Sequence, residues 1–563
     1  MIYFKGIKFF IFITDIIIVL WMILSNATDL FLNYFLLFSL IIISFIEIML
    51  SFLKGKETKI YYFSFMSFFT FFTSLFFLFI LPFLIKFNIK LDFYGVHFNL
   101  FIKIFLLIVI IIYFLRSFDV DFSKRRKVQI KPYTIISISF LVLIMTGSIL
   151  LYLPFSNTIR IKYLDALFTA ASAVCVTGLS VIDVGRDLTL FGKIVLICLV
   201  QLGGLGLMVF TAFFSFLIGQ KLSAFDRLTL KNALSADNVS VIYKFISFIV
   251  LITIFFEGIG AIVFYTEFKK LLPIDKAIFY SIFHSISAFC NAGFSLFPDS
   301  FISFKTNFIV NINLMFLIFV GGIGFPVLYN IYNIIRKKEK RLNLHTKLVL
   351  TTTFVLIFFG ALIIFLMEYD NTLKDINIFG KILASFFASI TPRTAGFNTI
   401  DYGVVKNSTI LFTCILMFIG ASPGSTGGGI KTTSFAVILF NTINVLRDRK
   451  VVNLFQREIS FDSIRKSLVV FILSLNLVLL QTILISLIET QFSIRQVVFE
   501  VVSAFGTVGL STGITPNLSA ISKILIITTM FLGRVGTITV IFSLGMTTKK
   551  ILQRLPEESV LTG

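Results

Sequence analysis

Long apolar runs recur through the chain with short polar connectors between them, near residues 8–25, 30–52, 60–86, 99–116, 132–153, 189–218, 241–266, 307–335, 347–368, 408–446, 464–489 and 520–546. Each approaches or exceeds the ~20 residues that cross the hydrocarbon core of a bilayer. Four shorter runs, at residues 164–174, 276–289, 379–390 and 494–505, carry apolar residues at helical spacing but are too short to span. Each short run falls between two long ones. The pattern predicts an all-α polytopic membrane protein of about twelve spans with four re-entrant half-helices.

A glycine-bearing stretch follows each short run: Val174-Cys-Val-Thr-Gly-Leu179, Phe289-Cys-Asn-Ala-Gly-Phe294, Pro392-Arg-Thr-Ala-Gly-Phe397 and Phe505-Gly-Thr-Val-Gly-Leu510. Their last glycines, Gly178, Gly293, Gly396 and Gly509, stand 115, 103 and 113 residues apart (293 − 178, 396 − 293, 509 − 396). So steady a period means one unit copied four times. A second glycine signal follows each copy, at Gly203-Gly-Leu-Gly206, Gly321-Gly-Ile-Gly324, Gly420-Ala-Ser-Pro-Gly424 and Gly533-Arg-Val-Gly536. The unit reads helix, half-helix, extended strand, helix (M1-P-M2), and four units around one axis predict a pseudo-fourfold pore. The boundaries are 119–236, 237–343, 344–461 and 462–563 including the C-terminal tail, with 1–118 an appended N-terminal membrane domain of about four spans. The second helix of the third unit is too long for one span and is expected to break between Gly420 and Thr433.

Composition removes whole classes of function. With 57% hydrophobic residues, 14% charged residues and a mean hydropathy of +1.00, the chain is not a soluble globular protein. A net charge of +21 in a soluble protein would suggest nucleic acid. Here the basic residues sit in short loops at 117–131, 221–231, 336–347, 447–466 and 549–554, where they set orientation, and nucleic-acid binding is not expected. Every repeat then begins and ends in the cytoplasm, as do both termini, and the half-helices dip in from outside. Lys5 and Lys8 precede an apolar run without a small-residue cleavage site, which reads as a retained first span. Cys175, Cys198, Cys290 and Cys414 show no CxxC pairing, and His97, His284 and His345 are scattered, so neither a disulfide framework nor a metalloenzyme is expected.

An extended strand at membrane depth leaves carbonyls without partners, at several kcal/mol each, unless something coordinates them. A dehydrated cation can do so. Four strands around an axis would ring it with carbonyl oxygens, from Val176, Thr177 and Gly178; Asn291, Ala292 and Gly293; Thr394, Ala395 and Gly396; and Thr507, Val508 and Gly509. The half-helices end just before the strands and turn the negative ends of their dipoles toward the ion. One such glycine alone would read as a helix-packing residue, but four at matching positions do not. Below the strands, Gly424, Ser425, Thr426, Gly427, Gly428, Gly429 and Lys431 form a segment that cannot hold a regular helix. Arg534, costly against lipid by at least ~2.5 kcal/mol, is expected to face the same cavity, bond the loop carbonyls and complete a gate.

Together, residues 174–179, 290–294, 393–397, 506–511, the 420–433 loop and 533–536 closely resemble the Trk/Ktr/HKT superfamily of potassium transporters, particularly bacterial Trk/Ktr pore subunits, over residues 119–550. The resemblance implies potassium uptake through a single-chain pore in a bacterial cytoplasmic membrane, with potassium as transported ion and sodium as a candidate coupling or activating ion. It also implies a homodimer, embedded in membrane lipid, with a cytosolic ring of nucleotide-binding regulatory subunits of RCK/KTN type. Neither the dimer nor the ring follows from composition or spacing. The chain departs from the family in the four apparent spans before its first repeat.

Two other functions compete. An ion-coupled symporter would typically carry inverted repeats, whereas these all run the same way. A membrane enzyme would need a nucleophile with its base or a His/Cys/acid cluster, and the chain has none. Gly424-Ser-Thr-Gly-Gly-Gly-Ile-Lys-Thr432 departs from a phosphate-binding loop because Ile430 separates glycine from lysine. Arg393 is expected to turn from the pore and anchor its strand through backbone carbonyls. Glu257, Asn476 and Gln481 are read as interhelical hydrogen-bonding groups, Asp165 as the cap of the first half-helix, and Glu47 as either a functional acid or one facing polar neighbours.

Overall fold

A computed structural model describes residues 132–206, 239–449 and 451–537. The first four apolar runs, Glu47, and the basic clusters at 124–127, 221–231 and 549–554 lie outside the described residues. The first repeat comprises α1 (Pro132–Tyr152), α2 (Tyr163–Val174) and α3 (Leu190–Leu205). The second holds α4 (Val239–Phe268), α5 (Ile274–Phe289), α6 (Phe308–Ile323) and α7 (Phe325–Ile335). In the third are α8 (Leu344–Glu368), α9 (Ile378–Ile390), α10 (Asn407–Phe418) and α11 (Thr432–Leu446), and in the fourth α12 (Phe461–Ile488), α13 (Ile494–Gly506) and α14 (Ala520–Val535). The four half-helices α2, α5, α9 and α13 fall within two residues of the amphipathic runs.

The helices place apolar side chains outward. Phe354, Val355, Phe358 and Phe359 of α8 are exposed, while Thr353, Ile357, Gly360 and Ala361 face inward. A lipid surface needs no polar coat, and small or hydroxylated residues let helices approach closely. Residues 244–268, 344–368 and 461–488 are each long and apolar enough to cross a membrane. Polar caps mark many helix starts: Asn307, Asn343 and Asn377 accept from Val310, Thr346 and Gly380 N–H, and Ser493 with Gln496 forms a capping box. A short antiparallel pair, β1 (Asn453–Leu454) and β2 (Arg457–Glu458), joins α11 to α12. Leu454 belongs to a small buried cluster with Leu348, Val437 and Ile464.

The second glycine signal has a double purpose. A Cβ on Gly203, Gly321 or Gly533 would strike a carbonyl at the end of its own half-helix, on Val174, Phe289 or Phe505. Three residues later the chain turns: Gly206, Gly324 and Gly536 have φ of 81°, 95° and 91°, a region open to glycine. The 307–335 run, expected as one span, is therefore two helices, and α6 meets α7 at 96°. In the first and fourth repeats the corresponding helices α3 and α14 end at Leu205 and Val535, just before Gly206 and Gly536. In the third repeat the break lies between Phe418 and Thr432, inside the expected interval.

Asn476 and Gln481 depart from expectation. Asn476 is exposed on α12, and the buried Gln481 Oε1 has no partner, so neither shows an interhelical hydrogen bond among the described residues.

Candidate functional site

Each glycine strand begins with a left-handed residue: Val176 at φ 57°, Asn291 at 58°, Thr394 at 68° and Thr507 at 49°. Three of these are β-branched, for which the conformation is a genuine outlier costing roughly 1–2 kcal/mol. The strand glycines follow at φ 92°, 69°, 78° and 93°. Strain repeated in four copies is a mark of function. What holds it is a hydrogen bond from the middle residue back to the end of the half-helix. Thr177 N–H donates to the Ser172 carbonyl (2.7 Å), Ala292 to Ser287 (2.7 Å), Ala395 to Thr391 (2.9 Å) and Val508 to Ser503 (2.8 Å). Among the described residues, none of the twelve carbonyls of Val176–Gly178, Asn291–Gly293, Thr394–Gly396 and Thr507–Gly509 accepts a hydrogen bond.

The strands meet in cyclic order. A Cβ on Gly178 would lie 3.0 Å from the Gly293 Cα, one on Gly293 3.1 Å from the Gly396 Cα, one on Gly396 3.2 Å from the Gly509 Cα and one on Gly509 3.0 Å from the Gly178 Cα. In the same sense each would press on the middle carbonyl of the next strand, on Ala292, Ala395, Val508 and Thr177. These carbonyl rows thus converge on one small space.

The glycine-rich loop packs against this ring. A Cβ on Gly427 would meet Thr394 Oγ1, Gly428 N–H donates to Thr507 Oγ1 (3.0 Å), and Gly429 (φ 68°) lies against Gly420 and Gly506. Thr426 Oγ1 bonds the Gly321 carbonyl at 3.2 Å. The Gly424 carbonyl accepts from Phe325 N–H at 2.9 Å, and Ser425 Oγ donates to the Ser422 carbonyl at 2.7 Å. Lys431 Nζ donates to the Gly427 carbonyl at 2.7 Å, closing the loop on itself. Arg534 donates to the Thr426 carbonyl, and on its other side to the carbonyls of Gly203 and Gly204 (3.0 Å). One guanidinium thus joins the first, third and fourth repeats.

Other side chains revise the sequence reading. Arg393 is buried and bonds Thr353 Oγ1 on α8 at 3.3 Å, not the backbone carbonyls expected. Arg393 lines a small cavity with Ile318, Phe319 and Ile357. Asp165 lies in the first turn of α2 but makes no cap; it pairs with Lys523 on α14. Glu257 accepts from Gln201 Nε2 at 3.2 Å, an interhelical bond as expected. Sequence reading missed Glu500 and His284. Each stands nine residues before its strand glycine, and each accepts the N–H of the residue three beyond it: Leu296 to His284 Nε2 and Thr512 to Glu500 Oε1, both at 3.1 Å. Carrying the repeat alignment upstream of the glycines would have exposed that equivalence.

Four glycine strands closed into a ring inside an apolar helical bundle suit a membrane transport protein. The profile of the cation transport protein family TrkH matches residues 96–550, and the chain belongs to that family. The Ktr system potassium uptake protein B of Bacillus subtilis is 41% identical over 438 residues, covering 77% of this chain and 98% of that protein. The potassium/sodium uptake protein NtpJ of Enterococcus hirae is 36% identical, covering 78% and 99%. The crystal structure of the potassium transporter TrkH from Vibrio parahaemolyticus matches with a TM-score of 0.61 at 18% identity, covering 80% of this chain and 92% of that one, a likeness of fold. A family of transport proteins removes the membrane-enzyme alternative.

Proposed function

We propose that this chain takes up potassium through its carbonyl ring. The observation that carries this is the set of twelve strand carbonyls that accept no hydrogen bond while their four strands close into a ring. Buried carbonyls of this kind are costly unless a cation replaces the missing donors. Potassium would be held by the carbonyls of Val176–Gly178, Asn291–Gly293, Thr394–Gly396 and Thr507–Gly509. The loop from Gly424 to Gly429, with Lys431 and Arg534, would close the path, since two cations at this level oppose the passage of a third. Radiotracer potassium uptake by cells lacking their own uptake systems tests this reading, and no gain over vector alone would overturn it.

The relatives named for a Ktr system motivate the rest of the proposal. The chain would work as a homodimer in the bacterial cytoplasmic membrane, with its termini inside and a nucleotide-binding partner of RCK/KTN type on the cytosolic face. Sodium as a coupling or activating ion is suggested by the name of the Enterococcus relative. Potassium uptake measured with and without external sodium decides that point.

A further inference from the structure

Behind each strand stands a hydroxyl that neither the carbonyl ring nor the loop employs. Ser172 Oγ accepts from Gly178 N–H at 3.0 Å, and Ser503 Oγ accepts from Gly509 N–H at 3.1 Å. Ser287 Oγ donates to the Phe294 carbonyl at 2.8 Å, and Thr391 Oγ1 donates to the Phe397 carbonyl. All four residues have no solvent exposure. They are also the residues whose main-chain carbonyls receive the middle N–H of each strand. Each therefore grips its strand twice, once by backbone and once by side chain.

We infer that Ser172, Ser287, Thr391 and Ser503 are positioning residues that set ion selectivity, acting through the strand peptides without touching the ion. The inference rests on the carbonyl-ring reading above. Selectivity depends on how many carbonyls surround the ion and how firmly they are placed. A buried N–H deprived of its acceptor turns to find another, and the Gly178 or Gly509 peptide would carry its neighbouring carbonyl with it. Two kinds of restraint are present. In the first and fourth repeats the hydroxyl holds the strand glycine itself, whereas in the second and third it holds the peptide one residue beyond. The ring is thus not fourfold in its support, and the first and fourth strands are the ones whose selectivity hinges directly on a hydroxyl.

The test measures potassium and sodium uptake by the full-length protein at matched membrane abundance. Ser172→Ala and Ser503→Ala should each reduce the potassium-to-sodium ratio by about tenfold and raise the KM for potassium. Thr391→Val, which keeps the shape and removes the hydroxyl, should reduce the ratio by about threefold, while Thr391→Ser should stay within about twofold of the unaltered protein. Unchanged ratios in all three hydroxyl-deleted variants, with only Vmax reduced, would overturn the inference. So would failure of all three to reach the membrane, which would assign the hydroxyls to folding. Gly178→Ser is the control: if it too leaves the ratio unchanged, the carbonyl-ring reading fails and the inference with it. If it alters the ratio and the hydroxyl variants do not, only the inference falls.

Discussion

Lys523 Nζ lies 2.8 Å from Asp165 Oδ1, joining the start of α14 to the first turn of α2 across 358 positions of sequence. Both side chains are mostly buried, at 13% and 17% exposure. The pair fastens the last repeat to the first, where no chain connection does so. Removing one partner leaves the other charge poorly solvated, a loss of 3–5 kcal/mol for a fully buried pair that the partial exposure here reduces to roughly 1–3 kcal/mol. Asp165→Asn and Lys523→Met should each lower thermal stability in detergent, and the double variant should lose less than the two losses together. Strict additivity would show that the pair is not coupled.

Gly178→Ser should let sodium compete better with potassium. The residue sits at φ 92°, and a Cβ there would strike the Ala292 carbonyl of the next strand, so one quarter of the ring must shift. Uptake of the two ions at matched expression checks this, with several-fold loss of discrimination expected. An unchanged ratio would remove the first strand from the ion path.

Arg534→Ala, or deletion of Ser425–Gly428, should raise the velocity of uptake and leave selectivity in place. Arg534 ties the loop at Thr426 to Gly203 and Gly204, and without it both the charge and the tie are lost. Initial rates at saturating potassium read the effect directly, and equal or lower flux in both variants would sink the gate assignment.

Glu500→Ala should loosen the end of the fourth strand. Its carboxylate accepts from Ser511 Oγ, Thr512 N–H (3.1 Å) and Thr515 Oγ1 (3.0 Å), and each donor left buried without an acceptor costs about 1–3 kcal/mol. Glu500→Gln retains an acceptor and should lose less. Melting curves of the purified protein in potassium check the order, and a Gln variant as unstable as the Ala variant would show that charge, not hydrogen bonding, is what the site requires.

The half-helices and strand glycines were legible because they are local: apolar spacing over about a dozen residues and a glycine at a fixed distance behind it survive in any register of reading. The break in the third repeat was legible for the same reason, since five glycines and a proline between 420 and 429 exclude a helix on propensity alone. The bend at Gly324 was not. Gly321, Gly322 and Gly324 in an apolar run are compatible with a continuous span, and the chain turns at Gly324 beside the loop, where Phe325 N–H meets the Gly424 carbonyl.

Partners were the part that sequence could not supply. Asp165 at a helix start reads as a cap until Lys523 is brought beside it, and among the described residues Arg393 bonds Thr353 and no backbone carbonyl. A buried polar group takes whichever partner packing delivers, and in a ring of four repeats the deliverer is usually another repeat. Residue type and period thus settled that this chain crosses a membrane with four glycine strands. The closing of those strands into one ring, and the hold of Arg534 on three repeats at once, depend on contacts between segments hundreds of residues apart, which only the packed helices bring within hydrogen-bonding distance.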